Sequence, residues 1–188
     1  MILPEQAAGK SWWRLAVLLA AGLLGGCEPP LPQKLLLQNS FDQAPEPGVA
    51  APQISRDQAY SPPQALRVGE GVVYAGLATA AWGTLGSPHH LRLRLRAWVP
   101  TSRLRSAMLV LDVKRPGSTP GSAPGVLHSQ LLNLCEVVKR YHQWVPANLF
   151  VSLPRGLRPT DELVVFMWVP PDNYGSVYID DFAIEAAD

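Results

Sequence analysis

Arg92, Arg94 and Arg96 recur at every second position and lead to Trp98 within His90-Leu-Arg-Leu-Arg-Leu-Arg-Ala-Trp-Val99. A two-residue period puts the three guanidinium groups and the indole on one face of a strand. Leu91, Leu93, Leu95, Ala97 and Val99 then share the other face. Guanidinium forks donate to hydroxyls or carboxylates, and an indole stacks on the apolar face of a sugar ring. That chemistry is recognition, not bond making. The competing reading is a solvated outer face whose tryptophan covers a core edge. Phe166 and Trp168 extend the same surface if their strand lies in the same sheet, and Tyr174 in the turn 172–175 is a further candidate contact.

Little else in the chain looks reactive. There is no G-x-S-x-G nucleophile elbow and no phosphate loop. His89, His90, His128 and His142 lack the spacing of a metal site. Cys135 reads as a small buried hydrophobe in a strand over 131–138. Nothing singles out a carboxylate pair for glycoside hydrolysis, because spatial separation decides that role. The expectation is a binding protein, not an enzyme.

The elements that would position these residues are short strands. Nineteen prolines and fifteen glycines in 188 residues interrupt any long helix. Strands are expected over 35–41, 65–68, 72–82 (one bent or two), 90–99, 107–114, 126–138, 144–153, 163–169 and 176–184. Residues 53–57 are uncertain. Residues 43–52 and the low-complexity stretch Arg115–Gly125 read as loops. Leu163–Val169 is apolar on both faces, which suggests a central strand with something packed on each side. Eight or nine strands with dense turns and no convincing helix predict an all-β sandwich of two antiparallel sheets, residues 34–188. A mature chain of 162 residues buries about 68–70% of its unfolded surface, enough to stand without disulfides.

The N-terminus reads as an address. Lys10 and Arg14 precede Leu15–Leu24, ten apolar residues, too few for a bilayer core that takes roughly 20. A basic start, a short apolar run and small residues describe a helical secretory signal peptide, residues 1–26. Leu24-Gly25-Gly26-Cys27 resembles the lipobox of bacterial lipoproteins, which implies a lipidated Cys27 and stable membrane anchoring by several acyl chains. An ordinary signal peptide with a chance cysteine, or a buried apolar helix, is the alternative. Glu28, where an Asp would signal inner-membrane retention, points to the outer membrane. Pro29-Pro30-Leu31-Pro32 makes residues 27–33 a stiff tether. Of 16 basic and 15 acidic residues, the first 27 hold Lys10, Arg14 and Glu5, leaving 14 of each. That balance excludes a general nucleic-acid binder.

Phe41-Asp42, Ala65-Leu66-Arg67-Val68, the Trp98 strand and the ending Val177-Tyr178-Ile179-Asp180-Asp181-Phe182-Ala183-Ile184 resemble the jelly-roll β-sandwich of galactose-binding-like and carbohydrate-binding modules. The resemblance spans roughly 35–185. It implies a glycan ligand and first and last strands lying side by side. It also implies a structural calcium near them, with Asp42 and Asp181 as ligands and Asp180 as the other candidate. Adjacent residues on a strand face opposite ways, so at most one of those two reaches such an ion directly. Fold alone does not give function. The expectation is therefore a lipid-anchored, non-enzymatic binding module, with Arg92, Arg94, Arg96, Trp98 and Trp168 as its contact residues. The alternative is a structural or assembly lipoprotein that binds another envelope protein.

Overall fold

The computed structural model describes residues 34–42, 53–117 and 125–187. The expected leader, Cys27, the tether, the loop 43–52 and residues 118–124 of the low-complexity loop lie outside the described residues.

Ten strands among the described residues build two antiparallel sheets. They are β1 (Lys34–Asn39), β2 (Ile54–Ser55), β3 (Ala65–Gly69), β4 (Tyr74–Ala81) and β5 (His90–Trp98), then β6 (Met108–Arg115), β7 (Gly125–Asn133), β8 (Trp144–Ser152), β9 (Glu162–Trp168) and β10 (Ser176–Ala186). The first sheet runs β2-β3-β10-β5-β8, and β1 joins it by pairing with β10. The second runs β4-β9-β6-β7. The fold is an all-β sandwich, and its first and last strands do lie side by side: Asn39 opposes Phe182 and Lys34 opposes Ala186. Along one edge of β10, β3 pairs with 176–179 and β1 takes over from 182 onward. β5 pairs along the opposite edge from Tyr178 to Ala186, with a break between Asp180 and Ala183.

Alternation explains the core. Leu91, Leu93, Leu95 and Ala97 of β5 point inward with Val177, Ile179, Phe182 and Ile184 of β10. They meet Leu109, Leu111 and Val113 of β6 and Leu163, Val165 and Met167 of β9, all buried in one cluster. Each of the larger side chains here contributes roughly 1.5–3 kcal/mol by leaving water. Because both sheets feed one apolar layer, the strands must keep their register, since a one-residue slip would turn every core side chain outward.

Three expectations are corrected or decided by the structure. The segment after β7 is not strand to Val138: a helical turn, α1 (Leu134–Val137), begins where the Asn133 side chain accepts the Cys135 N–H. Asn133 Oδ1 also accepts the Ala107 N–H, at 3.2 Å, so it serves as a cap and a clamp together. Cys135 therefore sits half-buried on that turn, not in a strand, and burial pushes its thiol pKa up. Second, of the two alternatives for 72–82 the single bent strand forms: β4, bulged between Gly76 and Ala78, with Trp82 already in a 3-10 turn, Trp82–Leu85. Third, β9 is central, between β4 and β6, but only one face is covered. Val164 and Phe166 are half-exposed and Trp168 is exposed.

Candidate functional site

β5 sets the first candidate face. Its inward leucines are locked in the core, so Arg92, Arg94, Arg96 and Trp98 must point out of the six-stranded sheet, where all four are half-buried. The neighbouring strands decide what surrounds them. β8 places Phe150 opposite Arg92, Asn148 opposite Arg94, Pro146 opposite Arg96 and Trp144 opposite Trp98. On the other side, β10 places Glu185 opposite Arg92, Ala183 opposite Arg94, Asp180 opposite Arg96 and Tyr178 opposite Trp98.

The result is an aromatic shelf beside a basic groove. Trp98 and Trp144 lie with ring centroids 5.9 Å apart, and Tyr60 meets Trp144 edge-on at 6.1 Å. The Arg96 guanidinium stacks 4.5 Å from the centre of the Tyr60 ring, a cation–π contact that joins the two parts. The groove, about 200 Å³, is lined by Arg92, Arg94, Arg96, Asn148, Pro146 and Asp181 among others.

The three arginines are held differently. Arg92 donates from Nε and Nη2 to Asn148 Oδ1 at 3.1 and 2.9 Å, and its Nη1 lies 3.8 Å from Glu185 Oε2. Arg94 donates from Nε to Glu185 Oε1 at 2.7 Å. Arg96 makes neither a hydrogen bond nor an ion pair among the described residues. Its partner is the Tyr60 ring.

Tyr60 is held in place by a buried carboxylate. Asp180 is fully buried. Its Oδ2 accepts the N–H groups of Tyr60 and Ser61 at 2.8 and 2.9 Å, and its Oδ1 accepts the Asp181 N–H at 2.7 Å. The Ser61 hydroxyl lies 3.2 Å from both Asp180 Oδ1 and Asp181 Oδ1. Burial pushes the Asp180 carboxyl pKa up, against these donors. Asp180 is thus a clamp that fixes the loop carrying Tyr60 over the sheet, a role the sequence did not suggest. Asp181 follows at φ +49°, in the bulge between Asp180 and Ala183. That bulge breaks the alternation, which is how Asp181 comes to line the groove.

The residues expected to hold calcium divide accordingly. Asp180 spends its oxygens on protein donors. Asp42 Oδ1 is buried with no hydrogen-bond partner among the described residues. No group of three His, Cys, Asp or Glu side chains able to hold a metal occurs among the described residues.

Trp168 is not brought to the Arg face. It lies on the outer side of the four-stranded sheet, between Tyr74 of β4 and Met108 of β6, and is 40% exposed. Phe166 is on the same side, so neither ring extends the Trp98 surface. There Phe166 and Tyr74 pack at 4.9 Å between centroids, and Lys114 Nζ lies 5.9 Å over Phe166. The next row is Phe166, Val110 and Leu131, the last 55% exposed. Asp112, Lys114 and Ser129 rim this apolar surface, joined by the Lys114–Asp112 ion pair and the bond from the Ser129 hydroxyl to Asp112. Tyr174 is 80% exposed in its turn.

Sequence reasoning missed Trp144 and Tyr60. Alternation in 144–153 marks Trp144 as outward once the buried set Ala147, Leu149 and Val151 is recognised. No local signal marks Tyr60, whose position depends on Asp180, 120 residues away.

No protein-family model matches the sequence, and no curated protein matches it. Solved structures similar in outline include a CBM22-1 xylan-binding domain from Paenibacillus barcinonensis Xyn10C. It is 15% identical with a TM-score of 0.46, covering 83% of this chain and 96% of that one. The CBM22-1–CBM22-2 tandem domain of the same enzyme is 14% identical with a TM-score of 0.48, covering 83% of this chain and 46% of that one. A family 16 carbohydrate-binding module is 11% identical with a TM-score of 0.44, covering 70% of this chain and 82% of that one. At these values the likeness carries nothing about the ligand of this chain, which must be argued from its own residues.

Proposed function

We propose that this chain is a non-enzymatic glycan-binding module, exported and held at the outer membrane through a lipidated Cys27. The observation that carries the binding reading is the shelf of Trp98, Trp144 and Tyr60 running into the arginine groove. Sugar rings present an apolar face edged by hydroxyls. A surface that offers rings and guanidinium donors side by side matches both. A calcium ion at Asp42 would supply positive charge beside the first and last strands, and the unpartnered Asp42 Oδ1 supports that reading; Asp181, against the Ser61 hydroxyl and on the groove wall, is left out of it.

The test is calorimetry of the full-length chain against a glycan panel, with and without calcium. Binding that is lost in Trp98→Ala, with thermal stability unchanged, supports the module and locates its face. Absence of binding to every glycan, with or without calcium, sinks it. For the anchor, Cys27→Ser is expected to abolish incorporation of labelled palmitate in cells, and label retained in that variant would refute lipidation.

A second reading has its own observation. The outer side of the four-stranded sheet carries an apolar surface, Tyr74, Phe166, Trp168, Met108 and Leu131, rimmed by polar groups. Such a patch fits an envelope-protein partner.

A further inference from the structure

We propose that the groove selects acidic saccharides, with the carboxylate of a uronic acid ring received by Arg96 while the ring rests on the Trp98–Trp144–Tyr60 shelf. The inference deepens the glycan reading and rests on it.

The charges facing the groove are Arg92, Arg94, Arg96, Asp181 and Glu185, with Asp180 beneath. They are not equivalent. Glu185 is consumed by Arg94 at 2.7 Å and Arg92 at 3.8 Å, and Arg92 is further tied to Asn148. Asp180 spends its oxygens on three backbone N–H groups and the Ser61 hydroxyl. Asp181 Oδ1 lies 3.2 Å from the same hydroxyl. That leaves Arg96 as the groove cation whose fork has no anionic partner among the described residues. The Tyr60 ring holds the guanidinium carbon 4.5 Å from its centroid, and Arg96 is among the residues that line the groove. A planar fork anchored over an aromatic ring is pre-organised for a bidentate carboxylate, so little further entropy is lost on binding. Shelf and fork meet at Arg96 itself, so one sugar ring and its carboxylate can engage both. A neutral sugar would use the shelf and leave the fork with only hydroxyls to meet.

Asp181 gives the proposal a sharp second test. Its carboxylate on the groove wall opposes an incoming anion. Asp181→Asn removes the charge, and asparagine suits the left-handed φ of +49° at this position.

The experiment is calorimetry of the full-length chain with tetramers of galacturonate, glucuronate and mannuronate, each beside its methyl ester, which keeps the ring and removes the charge. A sulfated neutral tetramer is included, so that carboxylate and sulfate can be told apart. The expected result is that at least one uronate binds about tenfold or more tighter than its ester. Arg96→Gln is expected to erase that preference while binding of the ester persists, and Arg96→Lys to restore part of it. Asp181→Asn is expected to strengthen uronate binding, and added salt to weaken it. Equal binding of acid and ester overturns the acidic selectivity and leaves the glycan reading standing. So does equal loss of both in Arg96→Gln. A sulfate preference overturns the uronate assignment. No binding to any saccharide overturns this inference together with the glycan reading.

Discussion

The two outer faces of the sandwich are built from the same alternation, yet they differ in what their exposed rows carry. On the six-stranded sheet, β5 contributes three arginines and a tryptophan; Arg92 and Arg94 have polar or ionic partners, and Arg96 packs on the Tyr60 ring. On the four-stranded sheet, β9 contributes Val164, Phe166 and Trp168, with charge confined to the rim. A loop is clamped over the first face by Asp180. The second is left open where Gly76, lying opposite Phe166, offers no side chain to cover the ring. The difference teaches that an exposed aromatic residue is not one kind of signal. Trp98 and Trp168 look alike in sequence, but one sits in a polar, directional setting suited to a sugar and the other in an apolar patch suited to a protein surface.

The comparison can be broken most forcefully at the clamp. Asp180→Ala strips the acceptor from three backbone N–H groups and a hydroxyl, and is expected to cost about 3 kcal/mol in urea unfolding. Tyr60 should leave the shelf, and saccharide affinity should fall with it. If affinity is unchanged while stability drops, Tyr60 has no part in the site. Next in size is the paired truncation of the two tryptophans. Trp98→Ala is expected to cost saccharide binding about 2 kcal/mol, whereas Trp168→Ala should leave saccharide binding unaltered. The reverse pattern, read by calorimetry, would move the glycan site to the four-stranded sheet and undo the assignment of faces.

The smallest effect is in pH, where each sheet holds one buried carboxylate and the two behave oppositely. Asp161, just before β9, accepts Arg115 Nε and Nη2 at 2.9 and 2.8 Å and the Arg158 N–H at 2.7 Å. The hydrogen-bonded Arg115 guanidinium holds its carboxyl pKa down at about 2, below the ordinary 3.8. Its contribution is therefore present above about pH 4 and lost as pH falls through about 2. Asp180 is raised by burial, so between the ordinary carboxylate value and its folded one the native state binds more protons than the unfolded chain. Its ionisation lowers stability as pH rises through that window. Unfolding curves from pH 2 to 7 should show Asp161→Asn removing an acid-side loss and Asp180→Asn removing a decline with rising pH. Slopes of the same sign in both variants would refute the contrast.

What the sequence by itself determined is what a two-residue period can encode. Leu91, Leu93, Leu95 and Ala97 are buried and Arg92, Arg94, Arg96 and Trp98 face out, because side-chain direction along a strand is local and needs no knowledge of the partner. The pairing of the first and last strands came from resemblance, and the register of β1 on β10 agrees with it. Which sheet a strand joins was not legible. β9 and β10 are neighbours in sequence, but β9 pairs with β4 and β6 while β10 pairs with β1, β3 and β5. That choice sends Phe166 and Trp168 to the far side from Trp98. Likewise, the β10 bulge, the Asp180 clamp and the meeting of Tyr60, Trp144 and Trp98 depend on groups 40 to 120 residues apart in the chain. Local pattern fixes which way a side chain points. Only long-range pairing, decided by how both sheets bury one shared apolar layer, fixes what it points at.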